Sequence, residues 1–597
     1  MSGERPLSTV GVLTEVTALA HPFDYQVPEG FGGPLEVGSR VRVPLHGRSV
    51  RGWITRQAGD DRAPAALKAL RGTLGLGPPP RVLELARWAA WRWNGTWAHF
   101  AKTASPDRIV TSLPARPAPP VLRAPETWLG TLGAERARTA GSTVLELGPC
   151  TDPFELVLGF LAGLSGAGRL EDKTALILVP GVGYAGRLVQ RLARRQIPAV
   201  EAASGWEASR AGWPVVVGTR AAGFAPCPSL AGVLVLDVDD ERFRSEAAPT
   251  WHAADVACER ARREDAPALF VASCASVTED RLGKRMSIAP SREREGWPTV
   301  AVADRRADDP RQGILSSHLV ELAREALAHQ AAGVAVACVV NRTGRARLLA
   351  CGRCETLLRC ERCDAAMGLD EELTCSRCGA TRPAICQACG ATKLKLLRLG
   401  TAQLAPELEV LLGVRVAELT ASSTPDSWQG ARAVVGTEAV LHRLRHCGLV
   451  AFLDLDHHLL APRMGAELRT LGLIGRAGRL VGGRSAQGAG VVLLQTRLAE
   501  HPVVLAAQRG DPAPVIEADD ALRRSLELPP YRALARVKGP GAAELLEQLA
   551  AEAVEIAELS DETFAVLAPS AEELADALAG LERPKKRVVV SVDPESV

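Results

Sequence analysis

Short apolar runs recur along the chain, and their spacing predicts where strands and helices form. In the first hundred residues, VGVLTEVTAL and SRVRVPL alternate apolar and polar positions around the turn-forming segment HPFDYQVPEGFGG. This pattern predicts a small β-rich domain over residues 1–110. Within it, RVLELARWAAWRWNG has apolar positions on one helical surface, and we expect its tryptophans to pack in a core rather than stack on bases.

A proline-rich segment follows this domain. LPARPAPPVLRAP, from Leu113 to Pro125, holds too many prolines for a helix or a central strand and is typical of a semi-rigid linker. We therefore assign residues 111–140 to a linker.

Uninterrupted apolar runs then predict two further domains with buried parallel strands. TVLEL, ALILVP, PVVVGT and GVLVLD predict an α/β domain over 141–311, and VAVACVVN, ARAVVGT, GLVAFLDLD and GVVLLQT predict a second over 312–530. Residues 531–597 combine Ala-, Leu- and Glu-rich stretches, which predict long helices, with the strand RVVVSV, and so favour a small α+β domain. The predicted fold class is α/β with several domains.

Charge and hydropathy narrow the function only slightly. The formal net charge of +2 provides no global basic field, so contacts with DNA would have to come from local arginine patches. The sequence has no long apolar segment of membrane-spanning type, and its first residues lack the layout of a signal peptide. We expect a cytoplasmic protein without a membrane partner.

Cysteines mark the strongest candidate site. Of 14 cysteines, eight form four Cys-x-x-Cys pairs: Cys351 with Cys354, Cys360 with Cys363, Cys375 with Cys378, and Cys386 with Cys389. Eight thiolates supply two closed tetrahedral sites, which predicts two structural zinc ions per chain in residues 351–389. Reduced metal-free cysteines and an iron-sulfur cluster are the alternatives, and the spacing does not decide which pairs share an ion.

Several short motifs stand in an order that is specific although each one is weak. They are FDYQVP (Phe23 to Pro28), GSRVRVP (Gly38 to Pro44) followed by Gly47, VGTR (Val217 to Arg220), FAP (Phe224 to Pro226), NRTG (Asn341 to Gly344), the eight cysteines, VGT (Val435 to Thr437), GRAGR (Gly475 to Arg479), QT (Gln495 and Thr496), EHP (Glu500 to Pro502) and PPY (Pro529 to Tyr531). In this order they resemble the PriA family of bacterial replication-restart proteins over most of the chain. The resemblance implies two RecA-like helicase lobes with a double zinc-binding insertion in the second, a β-rich N-terminal DNA-binding domain and an α+β C-terminal domain.

The resemblance also implies roles for particular residues. In the family the cysteine pairs nest, which groups Cys351, Cys354, Cys386 and Cys389 on one zinc and Cys360, Cys363, Cys375 and Cys378 on the other. The family's pocket for the 3′ end of a nascent strand corresponds here to Phe23, Asp24, Gly47 and Lys68. Asp24 would accept a hydrogen bond from a terminal sugar hydroxyl and Lys68 would meet a phosphate, whereas the residues by themselves favour a plain strand and turn.

The chain departs from the family at the positions that hydrolyse ATP. The phosphate loop Gly-x-x-x-x-Gly-Lys-Ser/Thr is absent, and GPCTDPFE (residues 148–155) follows the strand TVLEL in its place. The family's DEEH motif reads Asp237-Val238-Asp239-Asp240, and its Ser-Ala-Thr motif reads Ser273-Cys274-Ala275. We predict no catalytic residues, and ATP and magnesium are doubtful cofactors.

Two other family features are altered. Arg476 and Arg479 remain from an arginine motif whose leading glutamine position holds Gly472, and we expect these arginines to join the lobes or to contact DNA. The family's winged helix does not fit within residues 111–140.

The resulting hypothesis is a replication-restart protein that recognises stalled or abandoned forks and acts in primosome assembly without helicase activity. Its expected partners are forked, 3′-ended and single-stranded DNA, primosome proteins that load the replicative helicase, and single-strand-binding protein, at the nucleoid. One alternative is an active ATP-dependent 3′ to 5′ helicase with an unorthodox nucleotide site. The other is a zinc-ribbon module that binds RNA or associates with transcription.

Overall fold

An antiparallel five-stranded sheet forms the first part of the computed structural model. The model describes residues 9–17, 19, 21–58, 67–306, 313–340, 349–354, 356–362, 364–369, 372–375, 378–396, 401–420, 423–549 and 554–594. The strands are β1 (Thr9–Thr14), β2 (Phe23–Gln26), β3 (Arg40–Leu45), β4 (Arg48–Ala58) and β5 (Gly72–Gly75), in the order β2-β1-β4-β3-β5. The Gln26 amide donates to the carbonyl of Lys68 at 3.0 Å, so the segment before β5 closes the sheet towards β2. Alternate residues, including Val12, Val41 and Ile54, fill the interior.

Two helices pack on the outside of this barrel. They are α1 (Pro80–Arg92) and α2 (Trp97–Thr103). Leu83 of α1 packs with Trp53 of β4, and the buried Trp93 stands edge-to-face with Trp88 at a centroid distance of 5.4 Å. The prediction that this segment's tryptophans pack in a core is therefore confirmed for Trp93.

A seven-stranded parallel sheet forms the next layer, in the order β12-β6-β11-β10-β7-β9-β8. Its strands are β6 (Ser142–Glu146), β7 (Thr174–Leu178), β8 (Ala199–Glu201), β9 (Val215–Gly218), β10 (Leu230–Leu236), β11 (Ala268–Ala272) and β12 (Lys284–Met286). Its helices are α3 (Trp128–Arg138), α4 (Phe154–Gly166), α5 (Val182–Arg194), α6 (Trp206–Arg210), α7 (Ala253–Arg263) and α8 (Pro290–Glu295). The buried strands read as continuous apolar runs because helices cover both faces of a parallel sheet.

Helix α3 lies inside the range 111–140 that was predicted as a linker. It packs closely on α4, where a Cβ added to Gly159 would lie 2.0 Å from the Gly130 carbonyl oxygen. The part of the range before α3 has no helix or strand, and Arg116 anchors it by donating to the Leu170 carbonyl at 2.8 Å. Only this earlier part has the extended character that its prolines predict.

A second parallel sheet has six strands in the order β13-β23-β22-β14-β21-β20. The strands are β13 (Thr299–Asp304), β14 (Val336–Val339), β20 (Val416–Leu419), β21 (Ala433–Gly436), β22 (Leu449–Phe452) and β23 (Val491–Thr496). The helices are α9 (Ser317–His329), α10 (Thr401–Leu412), α11 (Ala439–Arg443), α12 (Asp456–Leu459), α13 (Ala466–Val481), α14 (Pro502–Arg509) and α15 (Ala513–Ser525). Because β13 pairs with β23, the second α/β unit includes residues before 312, where we predicted its start.

The cysteine segment between β14 and β20 forms two small antiparallel sheets. One contains β15 (Leu349–Cys351) and β19 (Leu394–Leu396), and the other contains β16 (Met367–Leu369), β17 (Leu373–Cys375) and β18 (Thr381–Arg382). The Ala366 amide donates to the Leu460 carbonyl at 3.1 Å, which ties this segment to the end of α12.

The last part of the chain is a four-stranded antiparallel sheet in the order β25-β26-β24-β27, with two helices. The elements are β24 (Ala533–Lys538), α16 (Ala542–Leu546), β25 (Glu555–Ser560), β26 (Thr563–Ala568), α17 (Ala571–Ala579) and β27 (Val589–Val592). The prediction of long helices is wrong here, because EIAELS pairs with β26 as a hairpin strand and its tertiary pairing outweighs helix propensity. Asp593 then receives a hydrogen bond of 2.8 Å from Arg92 of α1.

None of the described helices combines the length and apolar character that crossing a bilayer requires.

Candidate functional sites

Four cysteines converge where β15 and β19 bring the two ends of the cysteine segment together. The Sγ atoms of Cys351 and Cys389 are 3.5 Å apart, and those of Cys354 and Cys386 are 3.6 Å apart. All four sulfurs lie within 4.8 Å of one another. An all-sulfur set at this spacing fits a single soft metal ion, with the first and last Cys-x-x-Cys turns providing two ligands each.

A second cluster lies between these outer pairs. The sulfurs of Cys360, Cys375 and Cys378 lie within 4.8 Å of one another, and those of Cys360 and Cys378 are 3.5 Å apart. Cys363, the fourth member expected from the nested pairing, lies outside the described residues. Asn341 to Gly344, the NRTG motif, also lie outside them.

The candidate 3′-end residues occupy two regions of the N-terminal barrel. Phe23 and Asp24 are exposed on β2, and Lys68 is exposed beside them because its carbonyl pairs with Gln26. Gly47 lies in the β3–β4 turn with φ of +78°, in the left-handed region that favours glycine. The structure thus places three of the four residues on adjacent segments and the fourth at the tip of the next hairpin.

Arg56 joins this group, although sequence reasoning missed it. Its guanidinium lies 2.5 Å from Asp24 Oδ1. Gly11 of β1 stands between the two in register, and a Cβ there would lie 3.5 Å from the Asp24 carboxylate. A Cβ at this distance makes an ordinary van der Waals contact, so the pair does not require glycine at position 11. Only the strand register could have revealed this partner.

A cleft separates the two parallel sheets, and helix α13 crosses it. Arg479 of α13 donates two hydrogen bonds of 2.5 Å to the two carboxylate oxygens of Asp237, which follows β10. It donates another of 2.8 Å to the carbonyl of Pro149, in the loop that replaces the phosphate loop. Asp237 is thereby paired with an arginine of the opposite sheet.

Further ion pairs continue along the same face of α13. Arg476 lies 3.3 Å from Asp240, and Arg469 donates two bonds of 2.6 Å to Glu241. Positions 469, 476 and 479 share one helical face because they are seven and three residues apart. Glu241 and Arg469 carry no recognisable motif, so the sequence alone did not reveal them.

Two glycines let α13 approach the replaced loop closely. A Cβ added to Gly478 would lie 2.8 Å from Cys150 Sγ, and one added to Gly475 would lie 3.0 Å from the Pro149 Cβ. The GRAGR motif therefore packs its two glycines against the loop, and its two arginines pair with carboxylates.

Asp239 is partly buried and does not line this cleft. The amides of Ser273 and Cys274 donate to its carboxylate at 3.4 and 3.2 Å. Burial, reinforced by the charge of Asp237, raises the pKa of Asp239 to about 6. Among the described residues, groups of three or more potential metal ligands occur only at the cysteines.

The remaining cleft has a volume of about 540 Å³. Six arginines and two aspartates line it: Arg187, Arg191, Arg242, Arg445, Arg476, Arg479, Asp152 and Asp237. Asp152 is itself paired with Arg191 by hydrogen bonds of 3.0 and 2.7 Å. The cleft is positively charged and lacks a phosphate loop.

Comparison with known proteins shows similarity to one group of replication proteins. The model of the PriA 3′DNA-binding domain matches residues 11–106. A probable replication restart protein PriA from Mycobacterium tuberculosis is 28% identical over 88% of this chain and 86% of its own length. One from Mycobacterium leprae is 29% identical over 90% of this chain and 88% of its own length. Over most of its length this chain is similar to PriA proteins.

The match to the PriA domain model identifies residues 11–106 as a DNA-binding domain, and this range includes all four candidate 3′-end residues. A replication restart protein PriA from Haemophilus influenzae is 28% identical over 63% of this chain and 57% of its own length. Among solved structures, the helicase MrfA bound to DNA covers 78% of this chain and 62% of its own at 12% identity, with a TM-score of 0.36. So low a score supports no conclusion about function.

Proposed function

We propose that this PriA-family protein is a replication restart protein that recognises stalled or abandoned forks and acts in primosome assembly without hydrolysing ATP. The proposed absence of ATP hydrolysis rests on the bidentate pair between Arg479 and Asp237. In the family's motif, that aspartate would hold magnesium and that arginine would face nucleotide. Here the two groups neutralise each other.

The loop beside this pair supports the same conclusion. A phosphate loop binds because successive backbone amides and a lysine point at the phosphates. In this chain Pro149 and Pro153 lack amide protons, no lysine is present in the loop, and the Cys150 amide donates to the Gly296 carbonyl at 2.8 Å. These groups offer little to a triphosphate.

We further propose the domain arrangement that the resemblance implies. Residues 1–110 form the 3′-DNA-end-binding domain, and residues 531–597 form the C-terminal domain. The two parallel sheets between them form degenerate RecA-like lobes, with the second lobe beginning with β13 at Thr299 instead of at residue 312. The zinc-binding insertion 351–389 belongs to the second lobe.

The two cysteine clusters are proposed zinc sites with nested pairing. The set Cys351, Cys354, Cys386 and Cys389 supports this, because sulfur-only tetrahedral sites in such turns are typical of structural zinc. We expect Cys363 to complete the second set. Zinc would fix the segment's short strands, which are too small to hold a core of their own.

An active 3′ to 5′ helicase is the second candidate, because one observation favours it. The positively charged cleft of about 540 Å³ has room for a polyanion such as a nucleotide. The RNA- or transcription-associated module is less well supported, since the family model that matches residues 11–106 describes a DNA-binding domain. The primosome partners, single-strand-binding protein and a cytoplasmic, nucleoid-associated location remain predictions.

Parallel ATPase and binding assays test the proposal. Zinc-loaded protein is incubated with ATP and magnesium, with and without a model fork, and fork binding is measured in the same buffer at stated salt. We expect binding without turnover. Fork-stimulated turnover that Asp237→Ala abolishes would overturn the proposal and establish the second candidate, whereas absence of fork binding would refute the restart role itself.

A further inference from the structure

Two arginines stand directly opposite each other on the outer face of the N-terminal barrel. Arg42 of β3 pairs in register with Arg51 of β4, and both side chains are exposed. Directly opposite residues point to the same face with Cβ atoms about 5 Å apart, and like charges in this position repel. Val41 and Val43 point into the barrel, so this face is the outer one.

The neighbouring positions do little to relieve this repulsion. Arg51 has a partly exposed partner in Glu15 at 3.3 Å, and more than half of the Arg51 side chain is accessible. Such a pair contributes little. Arg42 has no acidic partner within the part of the chain that the structure describes.

The surface next to Arg42 is solvent-accessible and carries no bulky side chain. Gly72 is the register partner of Arg42 on β5, and a Cβ added there would meet nothing within 4 Å. One register step away, Trp53 and Arg40 are covered: the Trp53 indole donates to Ser105 at 2.7 Å and Arg40 to the Pro106 carbonyl at 2.7 Å. The segment after α2 covers Trp53 and Arg40 but not the neighbouring positions. Arg42, Arg51 and Gly72 therefore form an exposed strip on the outer face of the barrel.

The strip leads to the candidate 3′-end site. Arg51 and Arg48 lie on the strand that starts at the turn containing Gly47. The four residue steps from Gly47 to Arg51 span about 13 Å of extended chain, which corresponds to the axial rise of about four nucleotides at ~3.4 Å each in B-form DNA. An exposed cationic strip without large side chains fits a sugar-phosphate backbone.

We propose that Arg42 and Arg51 bind the phosphate backbone of the DNA strand whose 3′ terminus occupies the site formed by Phe23, Asp24, Gly47 and Lys68. This inference rests on the proposed function and extends it by adding a sequence-independent contact upstream of the end. DNA phosphates supply negative charge to both opposed arginines, of which only Arg51 has an acidic partner in the protein. The two sites have separate tasks, since the pocket selects the terminus and the strip supplies affinity.

The test uses the full-length protein and an oligonucleotide duplex with one recessed 3′ end, made with either a 3′ hydroxyl or a 3′ phosphate. Fluorescence anisotropy gives the affinity between 50 and 200 mM salt for wild type and for Arg42→Ala/Arg51→Ala. Two lost phosphate contacts lower the slope of log K against log salt by about 1.4 to 1.8, so wild type loses about 7 to 12 times more affinity over this range than the variant. The ratio between hydroxyl and phosphate ends should stay unchanged.

Two controls make the result specific. Arg194→Ala/Arg195→Ala removes the same charge from an exposed region of α5 and its C-terminal cap, and it should leave the slope unchanged. Thermal unfolding of the strip variant should be unchanged or slightly raised, because repulsion is removed; a lowered midpoint would mark the arginines as structural.

The outcomes separate this inference from the proposed function. If wild type prefers the 3′ hydroxyl and the strip variant keeps the wild-type slope, the strip is refuted and the end-binding role stands. An equal loss in the α5 control also refutes the strip. Wild type without preference between the two ends would refute the end-binding role itself.

Discussion

Replacing Arg479 by alanine should weaken the junction between the two parallel sheets. The side chain makes two hydrogen bonds of 2.5 Å to Asp237 and one of 2.8 Å to the Pro149 carbonyl. Its loss leaves the Asp237 carboxylate, whose side chain is 13% exposed, without this partner. Breaking a fully buried pair costs about 3 to 5 kcal/mol, and an exposed pair is worth about 0 to 1 kcal/mol. Because the Arg479 side chain is 34% exposed, we expect an intermediate loss of about 2 to 3 kcal/mol.

Calorimetry can detect a change of this size. With about 2.1 cal/mol/K per residue over the roughly 390 residues from 141 to 530, this loss lowers the Tm of the two sheets by about 2 to 4 °C. The stronger assay is a double-mutant cycle with Asp237→Ala and Arg479→Ala, for which we expect a coupling of at least about 1.5 kcal/mol. Additive effects, within about 0.5 kcal/mol, would show that the two groups do not stabilise each other and would refute the reasoning. Gain of ATP hydrolysis in either variant would contradict it as well.

Three further predictions concern the other sites. Purified protein should contain two zinc ions per chain by mass spectrometry. The variant Cys386→Ser should lose one ion, and its cysteine segment should exchange amide hydrogens faster. The control variant Cys447→Ser, at a buried thiol in the core of the second sheet, should keep both ions. Asp24→Asn should reduce the preference for a 3′ hydroxyl over a 3′ phosphate about tenfold or more, because a hydrogen bond to a charged acceptor is worth about 1.5 to 3 kcal/mol. An unchanged preference would exclude Asp24 from recognition of the 3′ end. Gly478→Ala should lower the free energy of unfolding in urea by about 1 to 3 kcal/mol, since its Cβ would lie 2.8 Å from Cys150 Sγ. The matched change Gly472→Ala, where a Cβ meets open space, should be neutral or stabilising. Equal effects of the two changes would contradict close packing of α13 on the loop.

The sequence by itself predicted much of the fold. Buried parallel strands have to be apolar along their whole length, so VVVG and GVLVL could be recognised without any knowledge of their neighbours. The Cys-x-x-Cys spacing likewise predicted metal ligands, because both sulfurs of one turn reach the same ion. The loss of the phosphate loop could be read directly, since lysine and glycine are required there by chemistry.

Long-range pairing decided the remainder. EIAELS has good helix formers, yet the hairpin with β26 makes it a strand. β13 joins the second sheet because of its pairing with β23, which no local pattern indicates. Boundaries between domains depend on such contacts and not on composition.

The candidate sites follow the same division. Asp237, Arg476 and Arg479 could be selected from motifs. That Asp237 and Arg479, which are 242 residues apart in sequence, bond to each other across the cleft depends on how the two sheets are docked. Arg56 beside Asp24, and Arg42 opposite Arg51, depend on strand register. The sequence determined which chemical groups are present, and the tertiary structure decided which of them meet, because contact between distant residues is set by packing and register.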